Sequence, residues 1–403
     1  MRICGLLVFA FFLSCSGRVE KNPENSRNAN VSDVSLVKQG IGAAQMLSRQ
    51  PCFADNQLTH SVYYPASFSE HARFPVFILF DPHADGDFPL HLYKSLADKY
   101  GVILLSSNDS RNGNSAERTA AILQGMMAQV THLQKADTSL IFCGGFSGGA
   151  RVAAMLGLAP SGIKAIVVCG AGIPQGTWQG IPPHLIVAIA GNRDMNLSEI
   201  IRFQVQDQRL QSRYQLIRFD GGHSWPPLKQ MEKAFIAFKS IAQRDRMEDA
   251  NLSWMNKALV QMRTAISEEK DPIIKAESYR CLLKNFQGVI DVSKDQDEYL
   301  SLVKSKAYLS AHNKESALLQ EEEKIKSAYF QAFGSRDTYW WNKEMNRFLD
   351  TTSFSNDNAK ISMIRRVQGA LSLTIYMSLT RAVAALENSQ QMYFSRFQRC
   401  GTL

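Results

Sequence analysis

A chain of 403 residues with 45% apolar and 20% charged residues has room for two domains and enough apolar side chains to bury a sizeable core. Its formal net charge of +8 is spread along the chain without Lys/Arg blocks or a recognition motif, so a nucleic-acid partner is not expected. The seven cysteines include no C-x-x-C, and neither H-E-x-x-H nor G-x-x-x-x-G-K-[ST] occurs; no metal and no cofactor is expected.

Met1-Arg2 followed by the apolar run Ile3–Leu13 has the shape of a secretory signal too short to span a bilayer. It ends at Phe12-Leu13-Ser14-Cys15-Ser16, which resembles the lipobox of bacterial lipoproteins with Phe12 where leucine is usual. That resemblance implies lipidation at Cys15 and a membrane-anchored protein of the bacterial cell envelope; a plain cleaved signal with an incidental cysteine is the alternative. Residues 16–50 are rich in Asn, Ser and Lys and read as a flexible tether.

From about Leu58 to Gln243 strand-like and helix-like segments alternate. The strands expected are Ser61–Tyr64, Val76–Phe80, Val102–Ser106, Leu140–Cys143, Ile163–Cys169, Leu185–Ala190 and Tyr214–Phe219. Several are continuous apolar runs, as parallel strands covered on both faces require. Helices are expected at Leu90–Tyr100, Glu117–Gln134, Ala150–Leu158, Leu197–Gln211 and Pro227–Gln243. The alternation predicts an α/β fold, a mostly parallel sheet with helices on both faces, over residues 51–243. Cys143 and Cys169 fall within its apolar runs and read as buried thiols.

Between one such strand and its helix stands Gly145-Phe146-Ser147-Gly148-Gly149, a G-x-S-x-G in the strand–turn–helix setting of a nucleophile elbow. Ser147 would sit at a helix N-terminus, where unpaired N–H groups favour a developing oxyanion. Ligands on such sheets bind beyond the carboxyl ends of the strands, so reactive residues should follow strands directly. Asp194 follows Leu185–Ala190 in Gly191-Asn192-Arg193-Asp194, and His223 follows Tyr214–Phe219 in Asp220-Gly221-Gly222-His223-Ser224-Trp225. Each has a plainer reading: Ser147 as a turn retained for close packing, Asp194 as the cap of the next helix, His223 as an ordinary loop histidine. Their order and placement at three strand ends favour a Ser-His-Asp triad.

With these residues in place, the segments FDPHADG, GGFSGGARVA, GNRDMN and GGHSWPP resemble the α/β-hydrolase superfamily, more closely its secreted esterase branch related to dienelactone hydrolases and polyhydroxyalkanoate depolymerases. The resemblance implies ester hydrolysis through an acyl-enzyme, with Ser147 as nucleophile, His223 as acid and base, and Asp194 orienting the imidazole. It also implies one oxyanion donor at the Gly148 N–H and a second at His83 or Ala84. The family usually has His-Gly where this chain has His83-Ala84; a positive φ there would strain the alanine. Phe146 and Trp225 are expected to line the pocket, although Trp225 could instead pack on the Pro226-Pro227 turn. Little chain separates Cys169 from Leu185, the usual place for a lid, which predicts an open site for a bulky or polymeric ester, such as one linked to a polysaccharide. A hydrolase-like binding protein that has lost catalysis, and a peptidase on the same triad, are the other readings.

Beyond about Asp245 the apolar spacing becomes helical. Leu252, Met255, Leu259, Met262 and Ile266 share one helix face. Further helices are expected at Ile273–Phe286, Gln296–Ala311, Lys314–Phe333, Tyr339–Leu349, Ala359–Leu386 and Ser389–Arg399, an all-α domain over 245–403, solenoid-like in its succession of short helices, that binds a protein partner, caps the mouth of the site, or is a structural appendage. The run Gln320–Lys326 (QEEEKIK) reads as a solvated helix face.

Overall fold

A computed structural model describes residues 42–173, 185–206, 213–245, 251–333, 335–349 and 357–378. Cys15, the signal-like segment, most of the tether, the short stretch expected to leave the site open (174–184) and the helix expected at Ser389–Arg399 all lie outside the described residues.

The strands are β1 Met46–Pro51, β2 Thr59–Tyr63, β3 Phe74–Phe80, β4 Ile103–Ser107, β5 Ala136–Phe146, β6 Ala165–Cys169, β7 Leu185–Gly191 and β8 Tyr214–Phe219. They form one sheet in the order β1-β2-β4-β3-β5-β6-β7-β8. β1 and β2 pair antiparallel, as do β2 and β4. From β4 across to β8 every pairing is parallel. This is an α/β-hydrolase sheet, and its parallel part sends the ends of β3, β5, β7 and β8 to one rim.

The apolar runs are continuous because both faces are covered. Alternate residues of β3 divide between two cores. Phe77 and Leu79 meet α1 (Asp87–Tyr100) and the helix after β8, whereas Val76, Ile78 and Phe80 belong with α2 (Ala116–His132), α3 (Gly148–Leu158) and α4 (Leu197–Gln206). The helix after β8 is α5, Leu228–Asp245; its Phe238 stacks on Phe142 of β5 with ring centroids 4.1 Å apart.

β1 has no counterpart in the sequence reading, and it begins inside the stretch read as tether. It reads MLSRQP with four exposed residues and a register shift between Leu47 and Gln50, so neither apolar alternation nor burial marks it. It is an edge strand held by backbone pairing to β2.

After α5 come α6 (Leu252–Glu268), α7 (Pro272–Phe286), α8 (Ser293–Lys304), α9 (Lys306–Ala332), α10 (Thr338–Leu349) and α11 (residues 358–378). The core does not divide where the composition changes. Met255, Leu259, Met262 and Ile266 of α6 and Leu282 and Phe286 of α7 join Phe77, Phe142 and Phe238 in one apolar cluster, while Leu252, expected on that face, is exposed. The break between α8 and α9 falls at Ser305, earlier than the predicted break after Ala311, because the Ser305 hydroxyl caps the new helix by accepting the Tyr308 N–H.

Two findings bear on the helical half. α7 covers edge strand β8: the Gln215 side chain donates to Asn285 Oδ1 at 2.8 Å, and Arg218 of β8 is buried between Glu277 of α7, 2.6 Å away, and Glu315 of α9. A covered edge cannot template pairing with another chain. The second finding corrects the sequence reading of Gln320–Lys326: Glu322 and Lys326 are buried, not solvated, because α11 lies over them and supplies Arg366.

Burial pushes the Glu277 carboxyl up to about 7, against the pull of Arg218 and with the Glu315 charge adding to the rise. A carboxyl whose folded pKa lies above its ordinary 4.5 binds a proton more tightly when folded. Its contribution to stability is complete below 4.5 and is lost as pH climbs through about 7. Thermal melts at pH 5 and pH 7.5 should therefore show a smaller fall in Tm for Glu277→Gln than for the wild type; an equal fall would contradict this placement of the charge.

Candidate active site

β5 runs straight into α3, and the chain reverses at Ser147 with φ 52° and ψ −118°, a conformation that costs a residue with a Cβ roughly 1–3 kcal/mol. Gly145 and Gly149 permit the reversal: a Cβ on either would run into the Phe80 carbonyl oxygen at the end of β3. The Ser147 N–H donates to the Cys169 carbonyl at the end of β6, 2.8 Å away. Ser147 occupies the N-cap position of α3 with its side chain making no cap bond, so the hydroxyl faces outward over the rim.

His223 meets that hydroxyl. Its Nε2 lies 3.0 Å from Ser147 Oγ, and its Nδ1 lies 3.0 Å from both carboxylate oxygens of Asp194. Three residues expected at three strand ends thus form one hydrogen-bonded chain. Asp194 is completely buried, whereas the His223 side chain retains 23% of its exposure. Asp194 Oδ1 also accepts the Asn196 N–H at 2.9 Å, so the carboxylate organises the turn before α4 while it faces the imidazole.

The floor of this arrangement is Gly170, just past β6. Its φ is +62°, and a Cβ there would come within 2.8 Å of Phe146, 2.9 Å of Asp194 Oδ2 and 3.2 Å of His223 Cε1. No other residue type fits without displacing the histidine. The neighbouring Cys169 thiol is pushed well up by burial and by the Asp194 charge, so it stays protonated beside the site.

Phe146 and Trp225 back the imidazole. The Phe146 ring lies 4.6 Å from His223 and 5.7 Å from Trp225, centroid to centroid. Trp225 is half-buried and fixed: its Nε1–H donates to Asp81 Oδ2 at 3.0 Å, and its ring meets Tyr93 edge-on. It is a wall of the histidine loop and does more than pack on the proline turn.

The loop after β3 departs from the expected donor arrangement. The His83 N–H donates to Asp81 Oδ1 at 2.8 Å, and the Ala84 N–H donates to the Ser110 carbonyl at 2.9 Å. Both are engaged with protein acceptors, because this loop is sewn to the loop after β4: Asn112 N–H also reaches the Pro82 carbonyl, and His83 bridges Arg111. The N–H groups that open α3 at Gly148 and Gly149 lie beside Ser147, and the first amides of a helix lack intrahelical acceptors. Asn112 is a residue that sequence reasoning missed; its carboxamide abuts Gly148 so closely that a Cβ there would overlap it. Asp81, joining the loop after β3 to Trp225 of the histidine loop, was missed too, although its place directly after β3 is a usable signal.

Ala84 has a φ of +61°, the strained conformation anticipated for an alanine where the family has glycine. Ala84→Gly removes left-handed strain of about 1 kcal/mol and adds about 0.5 kcal/mol of chain entropy to the unfolded state. A small rise in Tm is expected, read by thermal melting; a fall would mean that the Ala84 methyl contributes packing that outweighs the strain.

No family model matches the chain, and no curated protein matches it. Among solved structures, S-formylglutathione hydrolase (FrmB) from Staphylococcus aureus is 13% identical with a TM-score of 0.40, covering 49% of this chain and 99% of that one. Esterase B from Lactobacillus rhamnosis is 14% identical with a TM-score of 0.40, over 51% of this chain and 89% of that one. A dienelactone hydrolase-like promiscuous phosphotriesterase, P91, from metagenomic libraries is 14% identical with a TM-score of 0.37, over 44% and 84% respectively. Likeness at this level bears on neither activity nor substrate.

Proposed function

We propose that the chain is an exported serine hydrolase that cleaves carboxylic esters through an acyl-enzyme. The observation that carries the reading is the continuous chain Ser147–His223–Asp194, with 3.0 Å at each link, at the rim of a parallel sheet. Export rests on the signal-like character of residues 1–15 alone.

In this mechanism His223 Nε2 takes the Ser147 proton as Oγ adds to the ester carbonyl. The negative charge that develops on the carbonyl oxygen falls beside the first amides of α3. Collapse of the tetrahedral adduct breaks the bond to the alkoxy oxygen, which leaves as the alcohol with the proton from His223. Water then repeats the sequence on the acyl-enzyme: His223 accepts its proton, and the acid departs as Ser147 regains a hydrogen. Asp194 keeps the Nδ1–H directed at itself, so that Nε2 is free to accept, and stabilises the imidazolium in both halves.

Turnover of a matched aryl ester and anilide tests the reading. Ester hydrolysis that disappears in Ser147→Ala is expected, with the anilide far slower. Faster cleavage of the anilide would move the assignment to a peptidase, and no turnover of either by folded wild type would favour a binding protein.

A further inference from the structure

On the serine-hydrolase reading above, we propose that Lys326 and Arg366, joined through Glu322, are positioning residues for the active site: from the helical half they grip the Asp194 turn by its backbone carbonyls and so hold the carboxylate against His223.

The turn from Asn192 to Leu197 carries Asp194 and ends on Leu197, which is buried in the core. On the sheet side it is tied by the Asn192 N–H to the Phe219 carbonyl at 2.9 Å, the Arg193 N–H to the Gly221 carbonyl at 2.8 Å, and the Asn196 side chain to the Gly170 carbonyl at 2.7 Å. On its other side the ties come from far along the chain. Arg366 of α11 donates to the Asn192 carbonyl at 2.8 Å, and Lys326 of α9 donates to the Met195 carbonyl at 2.8 Å and to Ser198 Oγ at 3.2 Å. Asp194 lies between the two anchored carbonyls. Glu322 unites the anchors, 2.6 Å from Lys326 Nζ and 2.7 Å from Arg366 Nε. α11 also approaches the turn closely, since a Cβ at Gly369 would lie 3.3 Å from the Met195 Cβ.

Burial makes this more than a surface ion pair. Glu322 is completely enclosed, and the Lys326 and Arg366 side chains keep only 9% and 7% of their exposure. Taking three charges out of water costs several kcal/mol per ion, and apolar residues of similar size would stabilise the fold as well or better. What apolar residues cannot do is donate to two carbonyls that flank Asp194. The cluster carries two cations to one carboxylate, and the second cation is accounted for by the carbonyl dipoles it reaches. The helical half then acts on the active site through the backbone of the Asp194 turn. Removing a hold of this kind lets the carboxylate drift, and displacements of about 1 Å at a reacting group cost on the order of 100-fold.

The test uses the full chain. Lys326→Met and Arg366→Met each leave Glu322 with one cation, a neutral pair, so neither strands a buried charge. Each is expected to lower kcat on an aryl ester between about tenfold and 100-fold with KM unchanged, and to slow fluorophosphonate labelling by the same factor. In proton NMR the downfield signal of the imidazole N–H held by Asp194 should move or vanish. Arg366→Lys keeps the charge but cannot reach both Glu322 and the Asn192 carbonyl, so it should lose part of that activity even where Arg366→Met fails to fold. Met363→Ala is the control: it opens a cavity in the separate cluster of Tyr329, Val367 and Leu371 without touching the turn, and should lower Tm while sparing kcat. Wild-type kcat and an unmoved proton signal in both methionine variants, or an equal loss of kcat in Met363→Ala, would overturn the proposal. If the wild type itself neither turns over nor labels, the hydrolase reading fails, whereas the proton signal still tests the grip on Asp194.

Discussion

Ser147→Ala is expected to lower kcat on an aryl ester by about 10⁶-fold while leaving the fold intact. On the proposed mechanism the loss is large because the serine hydroxyl, 3.0 Å from His223 Nε2, forms the covalent intermediate, and the nearby Cys169 is a buried, protonated thiol. Alanine retains the φ of 52° and the cost it carries, so Tm should stay near the wild-type value. Ser147→Gly, by contrast, releases that strain and should raise Tm while losing the same activity. Together the two variants separate the chemical use of the position from its conformational cost. Residual turnover within a hundredfold of wild type in Ser147→Ala would remove Ser147 from the mechanism.

Asp194→Asn should cost about 10⁴-fold in kcat with little change in KM. The reason lies in which atom of the new carboxamide faces the ring. The Asn196 N–H donates to Oδ1 of Asp194 from 2.9 Å and would hold the carboxamide oxygen at that place. The NH₂ group then takes the Oδ2 place, also 3.0 Å from His223 Nδ1, where it opposes an Nδ1–H and favours the tautomer that accepts there. A ring that accepts at Nδ1 carries its proton at Nε2 and points a donor at Ser147, so it cannot take the serine proton. Asp194→Ala removes the same orientation without imposing the wrong one, and should be no worse than the asparagine variant. Steady-state kinetics on the three proteins decides it; an asparagine variant with near wild-type kcat would mean that Asp194 serves the turn alone.

The placement of these three residues was legible because each follows a recognisable strand: β5 and β7 carry continuous apolar runs, and β8 (YQLIRF) is rich in large apolar and aromatic strand formers. β1 was not legible, since an edge strand with polar, exposed residues carries no apolar signature and is defined by its partner. The loop after β3 was half legible. His83-Ala84 foretold a strained alanine, and Ala84 is strained, but the sequence contains no sign that the His83 and Ala84 amides would bond to Asp81 and Ser110. Those bonds depend on the loop after β4 folding against it. The charge run Gln320–Lys326 misled for the same reason. A helix face rich in Glu and Lys is solvated unless a second helix brings a matching cation, and Arg366 stands 44 residues further along the chain.

Treatment with a fluorophosphonate followed by intact-mass and peptide mapping tests the central claim most directly. One phosphonyl group per chain, located on Ser147 and absent from Ser147→Ala and His223→Ala, is the predicted result. Folded wild-type protein that stays unmodified, or that is modified at another residue while Ser147 remains free, would contradict it.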